Sequence, residues 1–204
     1  MSNFRRPKHL TTRRMQETRP NPPKEHSTSP RPAREIRWNC PVAAKCGGCQ
    51  LTRLSYAEQL QWKQQRVAEL LDGICEVRPI LGMDDPFHYR NKVHAVLSVD
   101  KAGKPISGVY AMGTHRVVPV RHCLIEDRRA DRIIQTIVAM LPAYKLRIYN
   151  EYTHRGFLRH ILIRTGHVTG QIMVVLVATS LEFPGKKAFV QELIQRHPEI
   201  TTVV

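Results

Sequence analysis

Long apolar runs are missing from this sequence. The longest, Ile172 to Ala178, has seven residues, whereas a helix that crosses a bilayer needs about 20, so no membrane helix is expected. The N-terminus is charged from Arg5 onward and has no apolar segment behind it, so no secretory signal is expected and the cytoplasm is the expected address. Disulfides are then not expected either. No Gly-x-Gly occurs anywhere in the chain, which removes the glycine-rich loop that dinucleotide-type cofactor sites use. Acidic residues are scarce, 17 against 32 lysines and arginines, and the resulting net charge of +15 is the footprint of a polyanion binder. A chain of 204 residues is too short for a large multi-domain enzyme. Its 42% hydrophobic content is sufficient for a packed core.

The first 38 residues stand apart. They hold ten lysines or arginines against three glutamates, and six of the 14 prolines. So few apolar groups cannot offset the entropy of ordering, so 1–38 reads as a disordered basic arm suited to phosphate contact. A globular texture follows. Ser55-Tyr-Ala-Glu58 is a capping box that predicts a helix to about Leu71, with Tyr56, Leu60, Val67, Leu70 and Leu71 on one face. Short β-rich runs at 93–99, 106–112 and 115–120 predict an antiparallel meander. Ile133, Ile134, Ile137, Val138 and Leu141 recur at helical spacing from about Glu126. Further strands are predicted at about 145–151, 158–165 and 171–179, then a helix at about 184–196 and a strand beginning at Thr201. The fold class is α+β, a central antiparallel sheet with flanking helices. The divisions are 1–38, 39–75 and 76–204.

Cys40-Pro-Val-Ala-Ala-Lys-Cys46-Gly-Gly-Cys49 puts three thiols within ten residues, with Cys123 further on. Three close thiols in a chain without a secretory signal point to a metal, and Gly47 and Gly48 permit the sharp turn that brings amides toward sulfur. The basic Lys45 would favour thiolates. One trio with a distant fourth suits structural zinc and an iron–sulfur cluster equally well. Cys75 reads as a small core residue.

Several segments occur in an order that resembles one family. They are Cys40-x5-Cys46-Gly-Gly-Cys49-Gln50, Ser55-Tyr56-x2-Gln59-Leu60-x2-Lys63, Phe87-His-Tyr89-Arg90-Asn91-Lys92, Gly108-Val-Tyr110, His115-Arg-Val-Val-Pro-Val120 before Cys123, and Gly156-Phe-Leu-Arg159-His160 leading to Gly166. From about 38 to 204 the chain is similar to the S-adenosylmethionine-dependent RNA uracil-C5 methyltransferases, in particular the bacterial enzymes of 23S ribosomal RNA that carry a 4Fe-4S cluster. The resemblance implies that Cys40, Cys46, Cys49 and Cys123 hold the cluster in an iron–sulfur loop. It implies a parent enzyme in which a cysteine thiolate attacks C6 of a flipped uracil and C5 takes the methyl group. The Rossmann-like domain with the cofactor loop, catalytic cysteine and base is not in this sequence, so the chain is expected to stop before it, to contain no catalytic or S-adenosylmethionine-binding residue, and to be inactive alone.

The expected partner is RNA, with 23S ribosomal RNA first, and the expected state is a monomer. The candidate RNA contacts are Arg90, Asn91, Lys92, Arg116, Arg159 and His160, which combine phosphate-neutralising cations with groups that read base edges. Tyr89 and Phe157 offer rings for an unstacked base, or pack in the core. Two other readings remain open, a stand-alone nucleic-acid-binding module with a structural zinc or iron–sulfur site, and a small iron–sulfur redox protein.

Overall fold

The computed structural model describes residues 37–204, and the basic arm expected over 1–38 lies, but for Arg37 and Trp38, outside the described residues. The capping box forms as the sequence predicts. The Ser55 amide donates to Glu58 Oε2 at 2.6 Å and the Glu58 amide donates to Ser55 Oγ at 3.4 Å, opening α1 (Tyr56–Leu70). The expected apolar face does not bury, because only Tyr56 and Gln59 are buried and Leu70 is 59% exposed. Tyr56 anchors the helix base, its hydroxyl accepting from the Met83 amide at 2.7 Å. Cys75 is exposed rather than a core residue. Gly73 takes a left-handed φ of +71°, and Ile74 after it is 74% exposed.

The strands are β1 (Lys92–Val99), β2 (Pro105–Tyr110), β3 (Val117–Pro119), β4 (Leu158–Thr165), β5 (Ile172–Ala178) and β6 (Ile200–Val203), joined in one sheet in the order β3-β2-β1-β4-β5-β6. All neighbouring pairs are antiparallel except β5 and β6, which run parallel. The sheet is therefore mixed, not antiparallel throughout. The reason is connectivity: α3 (Lys186–Arg196) lies between β5 and β6, and a helical crossover returns the chain in the same direction.

The strand expected at 145–151 is reduced to two isolated bridges, Ile148 with Leu158 and Asn150 with Arg155. Lys145 and His154 have positive φ, which breaks an extended run. Gly156 (φ +119°) brings the chain back so closely that a Cβ there would lie 2.2 Å from the Ile148 carbonyl oxygen.

Helix α2 (Arg128–Met140) starts at Asp127, whose side chain accepts from the Arg129 amide. Its Ile133, Ile134, Ile137 and Val138 are buried, as the period of the pattern requires. They join Val93, Ala95 and Leu97 of β1, Ile161 and Ile163 of β4, and Phe189 and Leu193 of α3 in one core. Alternation along the strands leaves His94 and His160 on the face away from that core, their rings 4.8 Å apart.

Candidate cysteine centre and nucleic-acid interface

Four short segments converge beyond the end of β2. The loop carrying the cysteine trio is pinned by a bridge between Cys46 and Ala111, and by Gly47, where a Cβ would come within 3.2 Å of the Met112 amide nitrogen and the Tyr110 carbonyl oxygen. Segment 88–90 pairs with 124–127, the Arg90 amide donating to the Ile125 carbonyl at 2.7 Å and the Asp127 amide to the Arg90 carbonyl at 3.0 Å. Trp38 packs on Phe87 with ring centroids 4.7 Å apart.

The convergence brings Cys40, Cys46, Cys49 and Cys123 to the wall of one cavity of about 50 Å³, with Trp38 and Arg90 beside them. The Gly48 amide points at the Cys46 sulfur at 3.3 Å. The four cysteines thus line a common space, although among the described residues no group of three or more His, Cys, Asp or Glu side chains is arranged to hold a metal ion. Burial raises the Cys49 thiol pKa, and the other two thiols of the trio add to it, while Arg90 acts in the opposite direction. The cation acting on Cys49 is thus Arg90, and Lys45 is exposed. Burial pushes the Cys123 thiol up to about 11, partly offset by hydrogen bonds from the Ile125 and Glu126 amides.

Two buried carboxyls brace the Cys123 segment. The Cys123 amide donates to Asp131 Oδ2 at 2.8 Å, and Glu126 is hydrogen-bonded to Asp131. Burial, then the Asp131 charge, raises Glu126 to about 7. This pair ties the start of α2 to the thiol-bearing loop.

The six expected RNA contacts do not gather at one place. Arg90 lies at the cysteine cavity. Asn91 uses its carbonyl to accept from the Thr165 amide at 2.9 Å. Lys92 pairs with Arg164 across β1 and β4, whereas His160 pairs with Val96, four residues or roughly 13 Å along the strand. Arg159 and Arg116 belong to that second end, Arg116 preceding β3 where the Ala111 amide donates to its carbonyl. Phe157 is partly buried and packs against the core, its ring 5.0 Å from that of Phe183, while Tyr89 is exposed.

At the second end lies a cleft of about 180 Å³ that the sequence did not single out. Glu151 is its hub. Its Oε2 is 3.0 Å from His115 Nδ1, its Oε1 accepts from the Tyr110 hydroxyl at 3.3 Å, and Arg159 Nη2 approaches to 3.9 Å. The Arg159 guanidinium stacks on the Tyr149 ring at 4.7 Å. The hydrogen bond from His115 holds the Glu151 carboxyl below its ordinary range. Burial, with His94 and Arg159 nearby, lowers the His160 imidazole, and its Nδ1 is buried without a hydrogen-bond partner. Residues 110, 115, 149, 151 and 159 share no local period, so no pattern in the sequence marks the cleft. The only signal was that Tyr110, His115 and Arg159 each belong to a segment carrying the family resemblance.

No protein-family model matches the chain. An uncharacterized RNA methyltransferase of Clostridium tetani is 38% identical over 176 residues, 84% of this chain and 38% of that protein. An uncharacterized RNA methyltransferase of Bacillus cereus is 37% identical over 170 residues, 81% of this chain and 37% of its own length. Among solved structures, the tRNA (uracil-54, C5)-methyltransferase of Pyrococcus abyssi, in complex with S-adenosyl-L-homocysteine, superposes with a TM-score of 0.55 at 25% identity, over 74% of this chain and 35% of that one. The chain is thus homologous over most of its length to proteins named RNA methyltransferases, and it spans under two fifths of their length.

Proposed function

We propose that these 204 residues are the cysteine-centre and RNA-binding part of an RNA uracil-C5 methyltransferase that takes its methyl group from S-adenosylmethionine and modifies 23S ribosomal RNA in the cytoplasm. The observation that carries the reading is that the four cysteines of the family pattern, 74 positions apart from Cys49 to Cys123 in the widest step, line one cavity. Homology to proteins named RNA methyltransferases supports the RNA substrate, and the uracil-C5 methyltransferase neighbour supports the base and position.

An all-sulfur donor set with the Gly48 amide aimed at the Cys46 sulfur suits an iron–sulfur cluster. Cys40, Cys46, Cys49 and Cys123 would hold a 4Fe-4S cluster, which when bound supplies a covalent clamp between the 40–49 loop and the segment after β3. Methyl transfer moves no net electrons, so the clamp is structural. The chain's own residues then bind and orient RNA. Lys92 and Arg164 neutralise phosphates at one end of the sheet, and Arg116, Arg159 and His160 act at the other. The nucleophile and the proton-removing base belong to the rest of the enzyme, because the four clustered thiols would be committed to iron and Cys75, the remaining one, is exposed between Ile74 and Glu76 and lines neither cavity. The protein works as a monomer.

Anaerobic purification with iron, zinc and acid-labile sulfide analysis tests the reading. About four iron and four sulfide per chain are expected. One zinc without sulfide would replace the reading with a zinc-bearing nucleic-acid-binding module. Binding of 23S ribosomal RNA fragments and of transfer RNA, measured side by side, tests the substrate.

A further inference from the structure

The cleft around Glu151 has an uncommon composition for a strongly basic molecule. Its central charge is negative, its walls mix tyrosine rings with aliphatic side chains such as Val96, Val117 and Ile148, and Arg159 and His115 contact the carboxylate. At about 180 Å³ it falls below the roughly 300–1,000 Å³ of sites for drug-sized ligands, a size for one planar ring system. Tyr152, an 87% exposed residue, lines the cleft, and Tyr149 already carries Arg159 stacked on it. Exposed rings beside a guanidinium plane are what single-stranded RNA uses to hold an unstacked base.

We propose that this cleft is a subsite for one unstacked guanine of a single-stranded RNA, with Glu151 accepting from N1–H and N2–H of the guanine Watson–Crick edge. The proposal rests on the RNA-binding reading and adds a base preference to it. An ionised carboxylate offers about four acceptor positions. Tyr110 and His115 take one on each oxygen, with Arg159 Nη2 3.9 Å from Oε1, so each oxygen keeps an acceptor position for a base. Guanine alone among the four bases presents two adjacent donors on one edge. Adenine and cytosine present a single amino group beside a bare ring nitrogen, and uracil's one N–H sits between two carbonyl oxygens that the carboxylate repels. A phosphate is repelled for the same reason, so the backbone must run outside, toward exposed Arg116 and Arg155. A lysine or arginine from a protein partner would meet Arg159 already occupying the Tyr149 face, which argues against that occupant. Because Glu151 is held by three side chains from β2, from the loop after it and from β4, it is oriented before any base arrives.

The test uses the full chain and fluorescein-labelled single-stranded RNA octamers, all-uridine or carrying one central guanosine, adenosine or cytidine, followed by anisotropy at fixed salt. The guanosine octamer is expected to bind at least about fivefold tighter than the other three, the discrimination of one bidentate contact. In Glu151→Gln, which keeps the shape but removes one acceptor oxygen, that ratio is expected to fall below about twofold, with the thermal transition checking that the fold survives. Equal binding of all four octamers by the unchanged protein, or a guanosine preference retained in Glu151→Gln, overturns the subsite while leaving RNA binding intact. Failure to bind any octamer or longer RNA overturns the RNA-binding reading along with it.

Discussion

Asp127 shows how much one side chain can settle. It caps α2 and receives Arg129 through the backbone amide at 2.8 Å and through Nη2 at 2.7 Å. Burial works to raise its carboxyl, but the hydrogen bonds from Arg129 and from the Thr165 hydroxyl outweigh burial and hold it at about 2. A depressed carboxyl contributes stability that is complete above its unfolded value near 3.9 and is lost as pH falls through the folded value. Acid unfolding should therefore steepen between about pH 4 and pH 2. Asp127→Asn should flatten that window while keeping the cap, and Asp127→Ala should lose about 1–2 kcal/mol at neutral pH; urea unfolding across a pH series measures both. Cys123→Ser belongs to the same scale. If the clamp forms, this variant should lose most of its iron and melt at lower temperature in the same preparation, and a melting curve that ignores complete loss of iron would remove the clamp.

Among the elements, α2 and the 145–157 connection carry opposite lessons. The period of Ile133, Ile134, Ile137 and Val138 predicts α2 because a helix facing a sheet must bury one stripe, and all four are buried. Ile137→Ala, at a fully buried position, should cost about 2–5 kcal/mol by chemical denaturation. The connection was unreadable, since three left-handed residues interrupt it and it pairs through isolated bridges rather than a continuous ladder. Gly156→Ala puts a methyl against the Ile148 carbonyl at a φ of +119°, which should cost on the order of 1–3 kcal/mol. Because Tyr149 and Glu151 hang from the same turn, this variant should also weaken RNA binding more than Ile137→Ala does at equal loss of stability. The first helix adds a third case. Its start was written in Ser55 and Glu58, but its periodicity says only which face is apolar, and Leu70 stays at the surface.

For the molecule as a whole, charge and homology give a common expectation. A net +15 predicts RNA affinity that falls steeply with salt. Each phosphate contact on a single strand contributes about 0.7 to the slope of log K against log salt, so Lys92→Ala with Arg164→Ala should lower that slope by about 1.4. The two sit opposite each other across β1 and β4, and neither contacts the Glu151 cleft, so the pair should weaken all RNA sequences alike. The chain alone, given S-adenosylmethionine and ribosomal RNA, should yield no methylated uridine.

Local chemistry is what the sequence could determine without help. The capping box, the α2 stripe, β4 from Leu158 to Thr165, the basic balance and the cysteine trio each depend on residues within a turn or two of one another, or on composition alone. Tertiary structure decided what depends on distance. It made β6 parallel through α3, set Cys123 beside Cys40, Cys46 and Cys49, separated Lys92 from Arg159 by half a strand, and gathered Tyr110, His115, Tyr149, Glu151 and Arg159 around one cleft. The physical reason is that side chains meet wherever the sheet closes its hydrogen bonds and the core excludes water. Neighbours made in that way leave no spacing in the chain to read.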